Sequence, residues 1–266
     1  METKTPLVNG DPTWLHLASG LPDTKAQMGL EIIKGLRSNG YVYLERPISL
    51  ENYQVIAGQV GPIISQSNVR VDETLKQAQE KNRLVKGQPG RYQASAFSFH
   101  TDNVRVAVAS FYCVEQDAVD GAMLLLDTSD IAEYFSNREI EVLTRVNLCA
   151  PDLESAVGQD DSSKVAPLLS RTGDSYLVYY VPWMFRDSYD IHSSEMLKKF
   201  ADYVKHKEET DLIRLPVRAG ECVFIDNHRM LHGRAAIAAD SQRHLIRLYL
   251  EAPAFARGSR VVDDVS

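Results

Sequence analysis

Apolar residues recur at near-helical spacing from Thr24 to Ser38, through Met28, Leu30, Ile32, Ile33 and Leu36. Asn39-Gly40 ends that pattern, because both residues tolerate the left-handed backbone that closes a helix. Tyr41 to Leu44 is a short β-rich run, and Leu50 to Gln59 is a second helical pattern stopped by Gly61-Pro62. The N-terminal part therefore reads helix, strand, helix.

From Ile63 to Ala96 the periodicity fades. Lys76 to Arg83 is polar and charged, and Gly87-Gln88-Pro89-Gly90 is turn-rich. A stretch of this length reads either as a lid over a site or as a solvated connector. Strand signals dominate afterwards: Val104 to Val114, Met123 to Leu126, Tyr176 to Val181, Leu212 to Pro216, Glu221 to Ile225 and His244 to Leu250. Helical patterns at Ile131 to Leu143 and Glu195 to Lys205 interrupt them, and Pro151 to Pro167 is acidic and Ser-rich, as a loop would be. The expected architecture is mainly β with flanking helices: a jelly-roll (double-stranded β-helix) core behind a helix-strand-helix N-terminal part. One domain spans 1–266, with its core at about 92–258 and lid loops at 63–96 and 151–170.

Composition narrows the function classes. With 44% hydrophobic and 24% charged residues the chain matches the globular average. A formal charge of −7 argues against a nucleic-acid-binding role. Cys113, Cys149 and Cys222 are too scattered for a disulfide framework or a metal clip, and suit a reducing cytoplasm. No apolar signal segment opens the chain and no run approaches 18 apolar residues, so a cytoplasmic protein with no membrane partner is expected.

Three segments carry candidate chemistry. In Phe97-Ser98-Phe99-His100-Thr101-Asp102-Asn103, a strand would send His100 and Asp102 to one face, where both can bind one ion. So short a motif also arises by chance, as a solvated pair at a strand end. In Phe224-Ile225-Asp226-Asn227-His228-Arg229-Met230-Leu231-His232-Gly233-Arg234, an apolar strand enters a polar turn, and the glycine after His232 permits close backbone approach. His228 and His232 share the spacing of a helical zinc pair, but the flanks are β-like and lack its glutamate, so His228 reads as a loop histidine bonded to backbone. In Gln242 to Leu250, Arg243, Leu245, Arg247 and Tyr249 alternate with His244, Ile246, Leu248 and Leu250, as on a strand. Two guanidiniums on an inner face would require an anion; on an outer face they would pair with surface acids.

Two histidines and one carboxylate with open positions make the site used by iron(II) oxygenases, and an arginine beyond the second histidine can clamp a dicarboxylate. The combination resembles the taurine dioxygenase and clavaminate synthase-like family of 2-oxoglutarate-dependent oxygenases. The likeness runs through GYVYLE, FHTDN, DGAMLLLDTSDI, FIDNHRMLHGR and QRHLIRLYL. It implies that His100, Asp102 and His232 hold Fe(II), that Arg243 clamps the far carboxylate of 2-oxoglutarate, and that Arg247 lies near substrate or co-substrate. One departure stands out. Many members have a threonine whose hydroxyl helps bind 2-oxoglutarate where this chain reads Asp120-Gly121-Ala122-Met123, and Thr128 lies too far along the strand to replace it.

The implied reaction consumes O2 and cleaves 2-oxoglutarate to succinate and CO2 while hydroxylating an unactivated C–H bond. The expected substrate is a small polar metabolite, amino-acid-like or carboxylated. Halogenases of this scaffold lack the carboxylate ligand, so Asp102 points to hydroxylation, with desaturation or cyclisation as the alternative on the same scaffold. Trp183, Met184, Phe185 and Arg186 suit a pocket wall, or an ordinary buried aromatic cluster, and Arg70, Lys86 and Arg91 could close over a carboxylated ligand. Rival classes are a zinc hydrolase and a non-catalytic jelly-roll binding protein.

Overall fold

The computed structural model describes residues 25–70, 96–149, 165–185, 189–238 and 240–251. In chain order the elements begin with α1 (Lys25–Asn39), β1 (Tyr41–Leu44), α2 (Leu50–Val60), β2 (Ile63–Arg70), β3 (Phe97–His100), β4 (Val108–Glu115) and β5 (Met123–Asp127). Then come α3 (Ile131–Tyr134), α4 (Asn137–Leu143), β6 (Asn147–Cys149), β7 (Val165–Pro167), β8 (Leu169–Thr172), β9 (Ser175–Val178) and a 3-10 turn at Pro182–Met184. The last are α5 (Ile191–Thr210), β10 (Ile213–Leu215), β11 (Cys222–Asp226), β12 (Met230–Arg234) and β13 (His244–Leu250).

Two antiparallel sheets make the core. The larger runs β1-β11-β4-β13-β2 and the smaller β10-β5-β12-β3, with β6-β7 and β8-β9 as separate hairpin ladders. Among the described residues no strand pair joins the two large sheets, so the jelly roll is a double-sheet sandwich without closure.

The period-2 alternation of side chains sorts each strand between two cores. On the larger sheet Val42, Tyr112, Phe224 and Leu248 pack against Ile32, Leu36, Tyr53 and Ile56 of α1 and α2. The alternate residues, Tyr43, Phe111, Val223, Ile225 and Leu245, fill the space between the sheets together with Met123, Leu125 and Met230. The outer face of the smaller sheet presents Leu124, Leu126 and Leu231 to Phe200 and Tyr203 of α5. β5 is buried on both faces, which is why its sequence is a continuous apolar run. Each fully buried side chain of this size contributes about 1.5–3 kcal/mol. A polar clasp fixes α5: Tyr203 and Lys207 donate to Asp130 at 2.6 and 2.9 Å.

The structure corrects several sequence expectations. Ile63 to Arg70 is not loop but an edge strand, and its half-exposed polar alternation (IISQSNVR) hid it. Residues 165–170 likewise belong to β7 and β8, paired with β6 and β9, rather than to a lid. The single helix expected over Ile131 to Leu143 is two, because Ser136 and Glu139 form a reciprocal capping box that starts α4 anew. Asp190 caps α5, which extends beyond Glu195 to Lys205 at both ends, where its turns carry no buried apolar residue to mark them. Residues 71–95 and 150–164 lie outside the described residues.

Candidate active site

His232 sits in the middle of β12, just after the polar turn at 227–229 that the sequence suggested. It pairs with His100 on β3 to one side and with Leu125 on β5 to the other. The register places the two imidazoles side by side, with ring centroids 4.4 Å apart and planes tilted by 50°. Gly233 is required by this approach, since a Cβ there would lie 2.7 Å from the carbonyl oxygen of Phe97.

β3 ends at His100, so Asp102 does not share a strand with it as expected. The ladder stops because Thr101 N–H donates to Tyr180 O (2.8 Å) and Asp102 N–H donates to Asn227 Oδ1 (2.7 Å). Asn227, fully buried, also donates to Val106 O and so ties the 101–106 turn to the loop before β12. The outcome matches the function expected of a shared strand face: one donor atom from each of His100, Asp102 and His232 lies within 4.8 Å of the others. Asp102 Oδ2 is 3.3 Å from His232 Nε2.

The two carboxylate oxygens of Asp102 have different surroundings. Oδ1 accepts from Tyr249 Oη at 2.5 Å and Arg247 Nη1 at 3.3 Å. Oδ2 is buried and faces the histidines, with His232 Nε2 at 3.3 Å. Burial alone would raise this carboxyl's pKa, but Arg247, His232 and His100 outweigh it and hold the group ionised, well below the usual carboxylate range. Nδ1 of His100 bonds Ser98 O at 2.8 Å. A carbonyl can only accept, so Nδ1 carries the proton, and in the neutral ring Nε2 keeps the lone pair.

Donor chemistry and geometry therefore fit a divalent transition metal: two imidazole nitrogens, one ionised carboxylate oxygen aimed at them, and outer partners that fix the orientation of two ligands. Trp183 walls this centre, stacked on Phe97 at 5.2 Å and 4.9 Å from the His100 ring.

A second feature lies alongside. Arg243 is 5% exposed and donates Nε–H to Gln116 Oε1 at 3.1 Å. Gln116 is itself anchored through Nε2 to the carbonyls of Pro216 and Val217. Gly121, with φ +77°, packs on this arginine: a Cβ there would lie 3.0 Å from Arg243 Cδ and 2.9 Å from Gln116 Oε1. Burial and, after it, the charge of Arg234 depress the Arg243 pKa to about 10.

The remaining sequence candidates distribute as follows. Arg247 contacts Asp102 and, through Nε, Ser67 Oγ. His228 bonds the carbonyl of Val104, as a loop histidine should. Met123 is part of the core between the sheets, and the Thr128 hydroxyl donates to Arg229 O at 2.6 Å. Met184 and Phe185 pack against the aromatic cluster outside the smaller sheet. Arg70 bonds His244. Lys86, Arg91 and Arg186 lie outside the described residues. Sequence reasoning missed Tyr249 and Asn227, which bond Asp102, and Gln116, which bonds Arg243. Tyr249 was within reach, since it alternates in phase with Arg247; Asn227 and Gln116 carry no local signal.

Comparison with known proteins identifies the family and the fold. The model of the taurine catabolism dioxygenase TauD, TfdA family matches residues 15–249. No curated protein sequence matches. Among solved structures, the non-haem iron oxygenase OrfP in complex with Fe and alpha-ketoglutaric acid superposes with a TM-score of 0.62 at 14% identity, covering 90% of this chain and 83% of that one. The same oxygenase in complex with Fe, succinate and (3S)-hydroxy-L-Arg gives 0.62 at 15%, with coverage of 89% and 83%. Asparagine oxygenase in complex with Fe(II), 2S,3S-3-hydroxyasparagine and succinate gives 0.63 at 12%, with coverage of 88% and 84%. These likenesses establish the shared fold. With the family model spanning nearly the whole chain, the protein belongs to the TauD/TfdA family of iron(II)- and 2-oxoglutarate-dependent dioxygenases.

Proposed function

We propose that this dioxygenase hydroxylates a C–H bond of a small amino-acid-like or carboxylated metabolite, with His100, Asp102 and His232 as the iron ligands and Arg243 as the clamp on 2-oxoglutarate. The observation that carries the reading is the buried Oδ2 of Asp102 set among two imidazoles, with one donor atom from each of the three side chains within 4.8 Å of the others. Iron(II), with 2-oxoglutarate and O2, supplies the oxidising chemistry that turns C–H into C–OH while the co-substrate becomes succinate and CO2.

The chain's own residues do the positioning. Ser98 O fixes the tautomer of His100, and Tyr249 with Arg247 holds Asp102 Oδ1 so that one oxygen is presented inward. Gln116 pre-orients Arg243, whose planar fork suits a carboxylate. Trp183 and Phe97 shield one side of His100 from water, which strengthens every charge interaction inside. A metabolite bearing an amino acid's charges is supported by the fold neighbours, whose bound molecules are hydroxyarginine and hydroxyasparagine.

The test is anaerobic. Adding 2-oxoglutarate to the Fe(II)-loaded protein should produce a weak visible charge-transfer band, absent in Asp102→Ala. Succinate formation across amino acids and small carboxylates should then rise above background for a subset of them. No band with saturating iron and 2-oxoglutarate would refute the reading and favour a zinc hydrolase or a binding protein.

A further inference from the structure

Thr101, the residue between two of the proposed ligands, is 1% exposed and sits where β3 has just ended. Its backbone N–H donates to Tyr180 O at 2.8 Å. In an antiparallel ladder the return bond would run from Tyr180 N–H to the carbonyl of Thr101. Here it runs to the Thr101 hydroxyl oxygen instead, at 3.0 Å. A side chain completes the pair of bonds that a strand would have made with its backbone. Valine has nearly the same shape and could not do this, because it offers no acceptor.

Tyr180 leads directly into the aromatic wall of the site. Before it, Val178 N–H donates to His228 O and Tyr179 N–H to Leu168 O, each at 2.8 Å. After it, Met184 N–H donates to Val181 O at 2.9 Å and closes the 3-10 turn that carries Trp183. That turn is tied to itself, so the place of Trp183 depends on where Tyr180 is held. The Tyr180 ring packs on Phe200 of α5, with centroids 4.9 Å apart, on the outer side of the smaller sheet. The bonds to Thr101 tie its backbone to the metal side. Three residues further on, the half-buried indole of Trp183 lies 5.2 Å from Phe97 and 4.9 Å from His100.

We propose that Thr101 is a positioning residue: its hydroxyl, by holding Tyr180, sets Trp183 against His100 and couples the aromatic wall to the segment that carries His100 and Asp102. A molecule that pushes on Trp183 then pulls on the peptide between the two ligands. The inference rests on the reading that His100 holds iron, and the two fail separately. Thr101 touches neither the iron nor the reacting molecule on this account.

The experiment combines hydrogen exchange of the apoprotein with anaerobic quenching of tryptophan fluorescence by Fe(II). The fluorescence is read in a Trp14→Phe background, since Trp14 and Trp183 are the two tryptophans of the chain. Thr101→Val leaves the buried Tyr180 N–H without its acceptor, so amides of the Tyr180–Met184 segment should exchange about tenfold faster. Amides of β1 and β11 should keep their wild-type rates. Quenching of Trp183 by saturating Fe(II) should weaken, because it falls with distance from the metal. Asp102 keeps its bonds to Asn227, Arg247 and Tyr249, so Fe(II) affinity should stay within about threefold of wild type. Thr101→Ser retains the hydroxyl and should match wild type in both measurements.

Wild-type behaviour in Thr101→Val, faster exchange spread evenly through both sheets, or Thr101→Ser as perturbed as Thr101→Val would overturn the role of Thr101. Wild-type fluorescence left unquenched by saturating Fe(II) would instead overturn His100 as an iron ligand, and the exchange rates would still judge Thr101. If Thr101→Val does not fold, Thr101→Cys, whose sulfur accepts only weakly, should show the faster exchange in the same segment.

Discussion

Replacing Tyr249 with phenylalanine removes one oxygen and almost nothing else. The ring stays in place under Arg247, whose guanidinium lies 4.3 Å from its centroid, so packing is preserved. What is lost is the 2.5 Å hydrogen bond to Asp102 Oδ1. A bond to a charged acceptor contributes about 1.5–3 kcal/mol. Loss of an orienting partner behind a metal ligand typically lowers metal affinity about 10–100-fold, which corresponds to roughly 1.4–2.7 kcal/mol. The two routes to the magnitude agree. Arg247 retains its own contact with Oδ1 at 3.3 Å, so the carboxylate stays ionised but is less constrained in rotation. Competition titration of Fe(II) against a chelator under anaerobic conditions should therefore show affinity down about 10–100-fold, with 2-oxoglutarate affinity at saturating iron changed by no more than about threefold. A fall in thermal stability with iron affinity intact would refute the reasoning, because Tyr249 would then be an ordinary core hydrogen bond.

Asp102→Ala removes the carboxylate that Arg247 and Tyr249 converge on, and should abolish both iron retention and succinate formation, checked by metal analysis of the purified protein. Gly121→Ala forces a φ of +77° on a residue with a Cβ and drives it toward Arg243; strain of about 1–2 kcal/mol should lower the melting temperature by about 2–8 °C and weaken 2-oxoglutarate binding in calorimetry. Leu125→Ala, at a fully buried position opposite His232, should cost about 2–5 kcal/mol in urea unfolding. Lys199, then Ser136, hold Glu139 at a pKa of about 2 against an ordinary 4.5. Its folded value being the lower one, its contribution to stability is complete above about pH 4.5 and is lost as pH falls toward 2, so Glu139→Gln should lose less stability than wild type between about pH 5 and 3.

How much of this was legible in the sequence depended on what each residue's neighbours were. Buried strands such as β5 and β13 announced themselves through runs of apolar residues, because packing on one or both faces demands them. β12 did so only weakly: a strand carrying His232 and Arg234 on one face has traded apolar positions for polar ones. The edge strand β2 was hidden by its half-exposed polar side chains. At the site, His100, Asp102 and His232 were legible through residue types able to bind a metal, in combination with the arginines of the last strand, since each motif alone also arises by chance. Their supports, Asn227 and Gln116, act from far along the chain through single amide groups, and nothing local marks an amide that bonds across 100 residues or more.

The central claim is that these three side chains share one iron. Crystals of the protein loaded anaerobically with Fe(II) and 2-oxoglutarate, measured on both sides of the iron absorption edge, test it directly. The account predicts a single anomalous peak bonded to a ring nitrogen of His100, a carboxylate oxygen of Asp102 and a ring nitrogen of His232, with the co-substrate's distal carboxylate on Arg243. A peak elsewhere, or one that leaves either histidine out of bonding contact, would contradict it.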